Sequence, residues 1–136
     1  MTKIRLVIAL LAVLILSSCA SNNSDTTGTS SAEKSGYTQI TASEAMKMME
    51  EESDYTIVDV RRADEFASGH IPGAINVPNE TISEEAEQSL PDKDKLLFVY
   101  CRSGNRSKQA SQVLADLGYT KVYEFGGIID WPGDIE

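Results

Sequence analysis

A cysteine followed at once by arginines and small polar residues is the feature of this sequence most suited to chemistry. The stretch VYCRSGNRS runs from Val99 to Ser107 and places a thiol, Cys101, directly after an apolar run. A thiol becomes a nucleophile only as the thiolate, and nearby cations and helix N-termini lower its pKa. Arg102 and Arg106 supply permanent positive charge, and a helix is predicted to start near Ser107. These features favour a reactive thiolate over the inert, buried thiol that an isolated cysteine usually is.

The same stretch is suited to receiving an anionic substrate. Ser103, Gly104 and Asn105 are small, and Gly104 permits backbone angles that turn successive amides inward as an anion nest. Residues 101–106 would therefore hold a thiolate and bind a negatively charged group beside it. The candidate site residues of this loop are Cys101, Arg102, Ser103, Gly104, Asn105 and Arg106.

Strands and helices that alternate along the chain are predicted to position this loop. The predicted strands cover 37–40, 55–60, 74–78, 95–100 and 121–125, and the predicted helices cover 42–52, 63–68, 80–90 and about 107–117. Thr41 and Glu44 form a capping box at the start of the first helix. The run KLLFVY at 95–100 is typical of a central parallel strand that is covered on both faces. This alternation predicts the α/β class with a mainly parallel sheet.

Three further polar residues are candidates for supporting roles near the carboxyl ends of the strands, where open parallel sheets bind ligands. Asp59 could orient or charge-balance the loop, or it could cap the end of its strand, and both interpretations stay open. Arg61 and Glu65 are four residues apart, so an ion pair across the short helix is expected rather than direct catalysis. The GHIPGA turn indicates structural hydrogen bonding by His70 rather than a Cys–His pair as in papain-like proteases.

Four motifs of this sequence resemble those of the rhodanese (thiosulfate sulfurtransferase) family, in the family's order. They are CRSGNRS (101–107), VDVR (58–61), EFASGHIPGAINVP (65–78) and GGIIDW (126–131). The resemblance covers nearly all of residues 37–131. It implies a three-layer fold, with a five-stranded, mainly parallel sheet, helices on both faces, and the active cysteine after the fourth strand.

The resemblance also implies a reaction. Cys101 would attack the outer sulfur of a donor such as thiosulfate, become a persulfide and release sulfite, and cyanide or a cellular thiol would then accept the sulfur. Backbone amides of the loop would stabilise the sulfur anions, and Arg102 and Arg106 would hold the sulfonate. The supporting residues would be Asp59, Arg61, Ser107 and His70. Neither a cofactor nor a metal site is predicted, because His70 is the only histidine, and a monomer is expected.

Two alternative functions remain. Phosphatases that resemble rhodaneses in fold carry Cys-x5-Arg, whereas this sequence has the shorter spacing Cys-x4-Arg between Cys101 and Arg106. A cysteine-based phosphatase or arsenate reductase is therefore the weaker interpretation. The other alternative is a sulfur-carrier or binding module without free turnover, although the intact cysteine argues against an inactive domain.

The N-terminal segment predicts export and lipidation. Lys3 and Arg5 precede an unbroken apolar run of 11 residues, 6–16, which is short of the about 20 residues that span a membrane. LSSC follows and resembles a bacterial lipoprotein signal, so residues 1–18 are predicted to be a signal peptide and Cys19 the lipidated residue. The polar segment 19–36 is predicted to be a flexible tether, and 37–136 the folded domain.

The charge of the chain bears on its partners. The net charge is −9, and removal of residues 1–18 would leave 10 basic and 21 acidic residues, a net charge of −11. Such an acidic chain is a poor candidate for binding nucleic acid. Membrane association is expected through the acyl chains at Cys19, on the outer face of a bacterial membrane, in the cell envelope or periplasm.

Overall fold

A computed structural model of the chain describes residues 36–136. The predicted signal peptide, the lipidation site Cys19 and nearly all of the predicted tether lie outside these residues. The strands are β1 (Thr38–Gln39), β2 (Tyr55–Asp59), β3 (Ile75–Asn76), β4 (Leu96–Cys101) and β5 (Val122–Gly127). The helices are α1 (Ala42–Glu51), α2 (Ala63–Ala67), α3 (Ile82–Ser89) and α4 (Asn105–Asp116), with a final 3₁₀ turn at Ile128–Asp130. None of the helices within 36–136 has the length and apolar character needed to cross a membrane.

The five strands form one parallel sheet in the order β1-β5-β4-β2-β3. The predicted α/β class is confirmed, and the apolar run at 95–100 forms the central strand. Side chains alternate across this strand, so that Leu97 and Val99 join a core cluster with Ala110 and Leu114 of α4. Phe98 and Tyr100 join a second cluster on the opposite face, together with residues of α1. Helices therefore cover both faces, as the three-layer prediction required.

The first helix starts where its capping residues predict. The side chain of Thr41 accepts a hydrogen bond from the Glu44 amide at 3.2 Å, and the Thr41 amide donates to Glu44 Oε2 at 2.7 Å. Two otherwise unpaired amides of the first turn are satisfied in this way. The predicted capping box is confirmed.

The last part of the chain differs from the prediction in two places that shape the site. Helix α4 begins at Asn105 instead of near Ser107, because Gly104 takes a left-handed φ of 104° and serves as the N-cap. Strand β5 continues through Gly126 and Gly127, which were predicted to follow the strand, because Gly127 pairs with Cys101 after a register shift between β4 and β5. The connection between β4 and α4 is therefore only three residues long.

Candidate active site

The thiol of Cys101 lies at the carboxyl end of the central strand, beneath the start of α4. Cys101 is the last residue of β4 and is only 1% exposed. It is a free cysteine. The sequence places it there because an apolar run ends at residue 101 and the left-handed Gly104 then turns the chain into the helix.

Hydrogen bonds from the loop and the helix surround the sulfur. The Gly104 amide donates to Sγ at 3.0 Å, and Ser107 Oγ lies 3.4 Å from the same atom. Burial raises the pKa of the Cys101 thiol, but a hydrogen bond with the Ser107 side chain and hydrogen bonds from the backbone amides of Ser107, Gly104 and Ser103 outweigh it. The pKa of the thiol is therefore lowered, which favours the thiolate that a nucleophile requires.

The end of β5 supports the loop by close backbone contact. A Cβ added at Gly127 would lie 2.0 Å from the carbonyl oxygen of Arg102 and 2.6 Å from the Cα of Ser103. The Ile129 amide also donates to the Arg102 carbonyl at 3.3 Å. Only glycine at position 127 leaves room for this arrangement.

The two arginines of the loop differ in their surroundings. Arg106 Nη1 and Nη2 donate to the Glu65 carboxylate at 2.6 and 2.9 Å, and these hydrogen bonds lower the pKa of Glu65 to about 2. Arg102 is exposed, and its guanidinium has no hydrogen-bond or ion-pair partner among the residues that the structure describes. Its charge is thus available to an incoming anion, whereas that of Arg106 is largely neutralised.

Asp59 and Arg61 form a buried ion pair beside the site. Arg61 Nε lies 3.0 Å from each carboxylate oxygen of Asp59, and Nη2 lies 2.6 Å from Oδ2. The expected ion pair between Arg61 and Glu65 is wrong, because α2 begins only at Ala63, so that Arg61 precedes the helix and its guanidinium pairs with Asp59. Nη2 also donates to the Gly69 carbonyl at 2.7 Å, which ties the turn after α2 to the sheet.

Asp59 of this buried pair also forms a hydrogen bond with Tyr100, the residue that precedes Cys101. Burial raises the pKa of the Tyr100 phenol, and a hydrogen bond with Asp59 raises it further, so the phenol remains neutral. The Ile71 amide donates to the phenol oxygen at 3.1 Å. Asp59 thus bonds to Arg61 and Tyr100 and makes no hydrogen bond with residues 101–106, which favours the structural interpretation of Asp59.

His70 makes contacts that stabilise the turn after α2. Its ring stacks on Phe66 with centroids 3.8 Å apart, and Nδ1 lies 3.1 Å from the Phe66 carbonyl oxygen. Nε2 lies 3.4 Å from a carboxylate oxygen of Glu136. These contacts do not involve Cys101.

Two acidic residues of the site were not identified from the sequence. One is Glu65, the partner of Arg106, which was assigned to Arg61 instead. The other is Glu124 of β5, which is 2% exposed and accepts hydrogen bonds from Ser107 Oγ at 2.5 Å and the Gly126 amide at 2.8 Å. The sequence held one signal for Glu124, a charged residue within the otherwise apolar strand segment VYEF (122–125). Because carboxylates are rarely buried without a partner, this pattern indicates that Glu124 binds another polar group.

The arrangement as a whole suits nucleophilic chemistry on an anion. It combines a thiol of lowered pKa, inward-pointing amides and one exposed guanidinium, that of Arg102. No group of three or more His, Cys, Asp or Glu residues that could hold a metal ion occurs within 36–136.

Comparison with known proteins places this site in a family. A family model described as a rhodanese-like domain matches residues 41–133. The chain belongs to the rhodanese family. It is 38% identical to the thiosulfate sulfurtransferase PspE of Escherichia coli over 73 residues, which are 54% of this chain and 70% of that protein. It is 35% identical to the thiosulfate sulfurtransferase GlpE of Shewanella oneidensis over 98 residues, 71% of this chain and 94% of that protein.

Solved rhodanese structures share the fold. A rhodanese from E. coli, solved with anions, superposes with a TM-score of 0.57 at 34% identity, and the match covers 60% of this chain and 96% of that one. The rhodanese-like fold that the four motifs implied, with its five-stranded sheet and helices on both faces, is therefore confirmed.

Proposed function

We propose that this rhodanese-like domain is a sulfurtransferase that moves sulfane sulfur from thiosulfate, or a related donor, to a thiophilic acceptor through a Cys101 persulfide. The observation that carries the proposal is the Gly104 amide 3.0 Å from Cys101 Sγ, at the start of α4. An amide in this position stabilises negative charge on sulfur, both in the thiolate and in the persulfide. The thiosulfate sulfurtransferase names of two relatives support the same reaction.

The reaction consists of two displacements at sulfur. The Cys101 thiolate attacks the outer sulfur of thiosulfate, a new S–S bond forms, and sulfite leaves with the electron pair of the broken S–S bond. Cyanide or a thiolate then attacks the outer sulfur of the persulfide, and the Cys101 thiolate is released. The two steps share one covalent intermediate, so ping-pong kinetics are expected.

Charge in the loop supports binding of the donor. The exposed Arg102 guanidinium is positioned to attract the sulfonate group, and the positive end of α4 adds to the attraction. The E. coli rhodanese was solved with anions, which is consistent with an anion-binding loop in this chain. Arg106 retains N–H groups beyond the two that Glu65 binds, so its predicted contact with the sulfonate stays a prediction.

The test is the intact mass of the protein after incubation with thiosulfate. One added sulfur atom is expected in the wild type and none in Cys101→Ser, because a serine hydroxyl stays protonated. Turnover with cyanide, followed as thiocyanate, separates a sulfurtransferase from a carrier that forms the persulfide without turnover. Hydrolysis of an aryl phosphate without persulfide formation would favour the phosphatase alternative and overturn the proposal.

We also propose that the domain is exported and anchored to the outer face of a bacterial membrane by lipid on Cys19. The support is the sequence alone, with its basic start, apolar run and LSSC motif. Labelling with a fatty-acid analogue in a bacterial host tests this proposal. Label is expected in the wild type and not in Cys19→Ala, and an unlabelled wild type would contradict lipidation.

A further inference from the structure

Ion pairs neutralise most of the arginines around the loop 101–106. Four arginines lie in or beside this loop, and three of them have a carboxylate partner. The three pairs are Arg61 with Asp59 at 2.6 Å, Arg62 with Asp64 at 2.9 Å, and Arg106 with Glu65 at 2.6 Å. Among the residues that the structure describes, Arg102 is the one arginine of the four without a carboxylate within ion-pair distance. The loop therefore offers an incoming anion one uncompensated guanidinium.

Three other charged residues near the loop leave this balance in place. Lys108 lies two residues after Arg106 on α4, and its amide donates to the Gly104 carbonyl at 3.2 Å. Glu80 carries the opposite charge and interacts electrostatically with Arg106. The carboxylate of Glu124, which is 2% exposed, adds no positive charge. An anion that enters the loop thus meets no more than a single net positive charge.

Glu65 is the carboxylate of this group that acts most directly on the loop. It accepts two hydrogen bonds from the Arg106 guanidinium, at 2.6 and 2.9 Å, and these lower its pKa to about 2. Glu65 is therefore ionised at neutral pH. Because Arg106 interacts electrostatically with Cys101, the carboxylate that neutralises Arg106 also weakens the positive field at the sulfur.

The charge of a sulfur donor decides how much this neutralisation matters. Thiosulfate is a dianion, whereas an organic thiosulfonate carries one negative charge at the same outer sulfur. The electrostatic free energy of an anion scales with its charge, so a weaker positive field costs the dianion twice as much as the monoanion. One uncompensated guanidinium suits a singly charged donor better than a doubly charged one.

We propose that Glu65 determines donor specificity and directs the site towards sulfane donors with a single negative charge, such as organic thiosulfonates. It does so by neutralising Arg106, which would otherwise favour a dianion. The inference rests on the proposed function in that Cys101 accepts sulfur from the donor, and it names the class of donor.

The step with a thiosulfonate balances in the same way as the step with thiosulfate. The Cys101 thiolate attacks the outer sulfur, a new S–S bond forms, and the bond between the outer sulfur and the sulfonyl sulfur breaks. An organic sulfinate leaves with the electron pair of that bond. One negative charge remains on the persulfide and one leaves with the sulfinate, so no other reactant is required.

The experiment measures the rate of persulfide formation in the full chain, by intact mass, with thiosulfate and with methanethiosulfonate at constant ionic strength. Glu65→Gln keeps the shape of the side chain but removes its charge. We expect the rate constant to rise about threefold with methanethiosulfonate and about tenfold with thiosulfate, because the effect on the dianion is squared. The ratio of the two rate constants should therefore change by about threefold in favour of thiosulfate.

The matched control is Asp64→Asn, which removes a carboxylate from the same helix. Asp64 pairs with Arg62 instead of Arg106, and both side chains are largely exposed, so the donor ratio should stay within twofold of the wild type. A merely structural role of Glu65 would change the rates with both donors by the same factor, and an unchanged ratio in Glu65→Gln would overturn the inference. An equal change of the ratio in Asp64→Asn would also overturn it.

Anion binding gives a second measurement that needs no reaction. Sulfate and methanesulfonate are titrated into the full chain, and the amide signals of residues 102–106 are followed by NMR. The wild type should bind the two anions with similar affinity, and Glu65→Gln should favour sulfate by about threefold. If Glu65→Gln does not fold, the wild type decides the matter, since a tenfold or greater preference for sulfate would contradict the inference.

These measurements separate the inference from the proposed function. A wild type that gains sulfur from neither donor would overturn the sulfurtransferase, and the anion titrations would still decide whether Glu65 selects by charge. Persulfide formation together with an unchanged donor ratio in Glu65→Gln would support the sulfurtransferase and overturn the inference.

Discussion

The guanidinium of Arg106 and the carboxylate of Glu65 form two hydrogen bonds, at 2.6 and 2.9 Å, between residues 41 positions apart in the chain. This ion pair ties the first turn of α4, which directly follows the loop, to α2. It fixes the orientation of Arg106 before a donor binds. It also leaves Arg102 as the loop arginine whose charge is unpaired within the described chain.

Glu65→Gln should lower stability in a pH-dependent way. The pKa of Glu65 falls from 4.5 to about 2 on folding, chiefly through its hydrogen bond with Arg106, so the ionised form stabilises the folded state. That contribution is complete above pH 4.5 and is lost as the pH falls towards 2. We expect the variant to be less stable by about 1 kcal/mol near neutral pH, given that the pair is partly exposed.

Urea unfolding of the wild type and the variant across this acidic range measures the effect. The difference between their free energies of unfolding should shrink steadily below pH 4.5. Glu51→Gln, at the exposed end of α1, is the matched control and should show no such trend. A difference that stays constant down to the lowest pH would mean that the ion pair does not stabilise the fold.

Arg102→Ala should weaken donor binding more than it affects the thiol. Loss of a charge-assisted hydrogen bond to the sulfonate predicts an about tenfold lower kcat/KM for thiosulfate. Steady-state kinetics with varied thiosulfate measure this change, and alkylation of Cys101 should proceed at nearly the wild-type rate. Arg62→Ala is the control, because the exposed Arg62 guanidinium is already paired with Asp64. An equal fall in kcat/KM in both variants would indicate that the positive charge of the surface acts in general and that Arg102 makes no specific contact with the donor.

Asp59→Asn should destabilise the domain strongly. It leaves the Arg61 guanidinium, which is 6% exposed, without its anionic partner, and breaking a buried ion pair costs about 3–5 kcal/mol. Thermal and urea unfolding measure the loss. Asp64→Asn removes the exposed pair with Arg62 and should have no measurable effect. A small effect of Asp59→Asn would show that water reaches the pair.

The parts of the structure that local rules determine were predictable from the sequence. The capping box of Thr41 and Glu44 and the apolar run before Cys101 depend on neighbouring residues alone, and both were predicted correctly. The start of α4 was predicted two residues late. Gly104 was recognised as a turn residue, but its left-handed φ already makes it the N-cap of the helix.

Contacts between distant segments were not predictable in the same way. Helical spacing favoured a pair between Arg61 and Glu65. Arg61 instead pairs with Asp59, two residues before it, and Glu65 pairs with the distant Arg106. Glu124 comes close to Cys101 only because β5 lies beside β4 in the sheet. A single sequence read along its length contains no signal for this neighbour relationship.

Gly127→Ala should displace the loop and abolish sulfur transfer while the sheet remains folded. The added Cβ would lie 2.0 Å from the Arg102 carbonyl oxygen and 2.6 Å from the Ser103 Cα, and neither backbone atom can give way without moving the loop. Movement of the loop withdraws the Gly104 amide from Cys101 Sγ, and removal of one such donor lowers kcat by about 10²-fold or more.

Turnover of thiosulfate and the circular dichroism spectrum, measured on the same sample, check this prediction. Gly73→Ala is the control for an added methyl group without a clash: Gly73 has a left-handed φ of 79°, unlike the extended Gly127, and nothing lies within 4 Å of an added Cβ. It should lose about 1 kcal/mol of stability through backbone strain alone and keep its activity. An active Gly127→Ala would show that the loop can be supported without close contact with β5, and that its position is set from the α4 side.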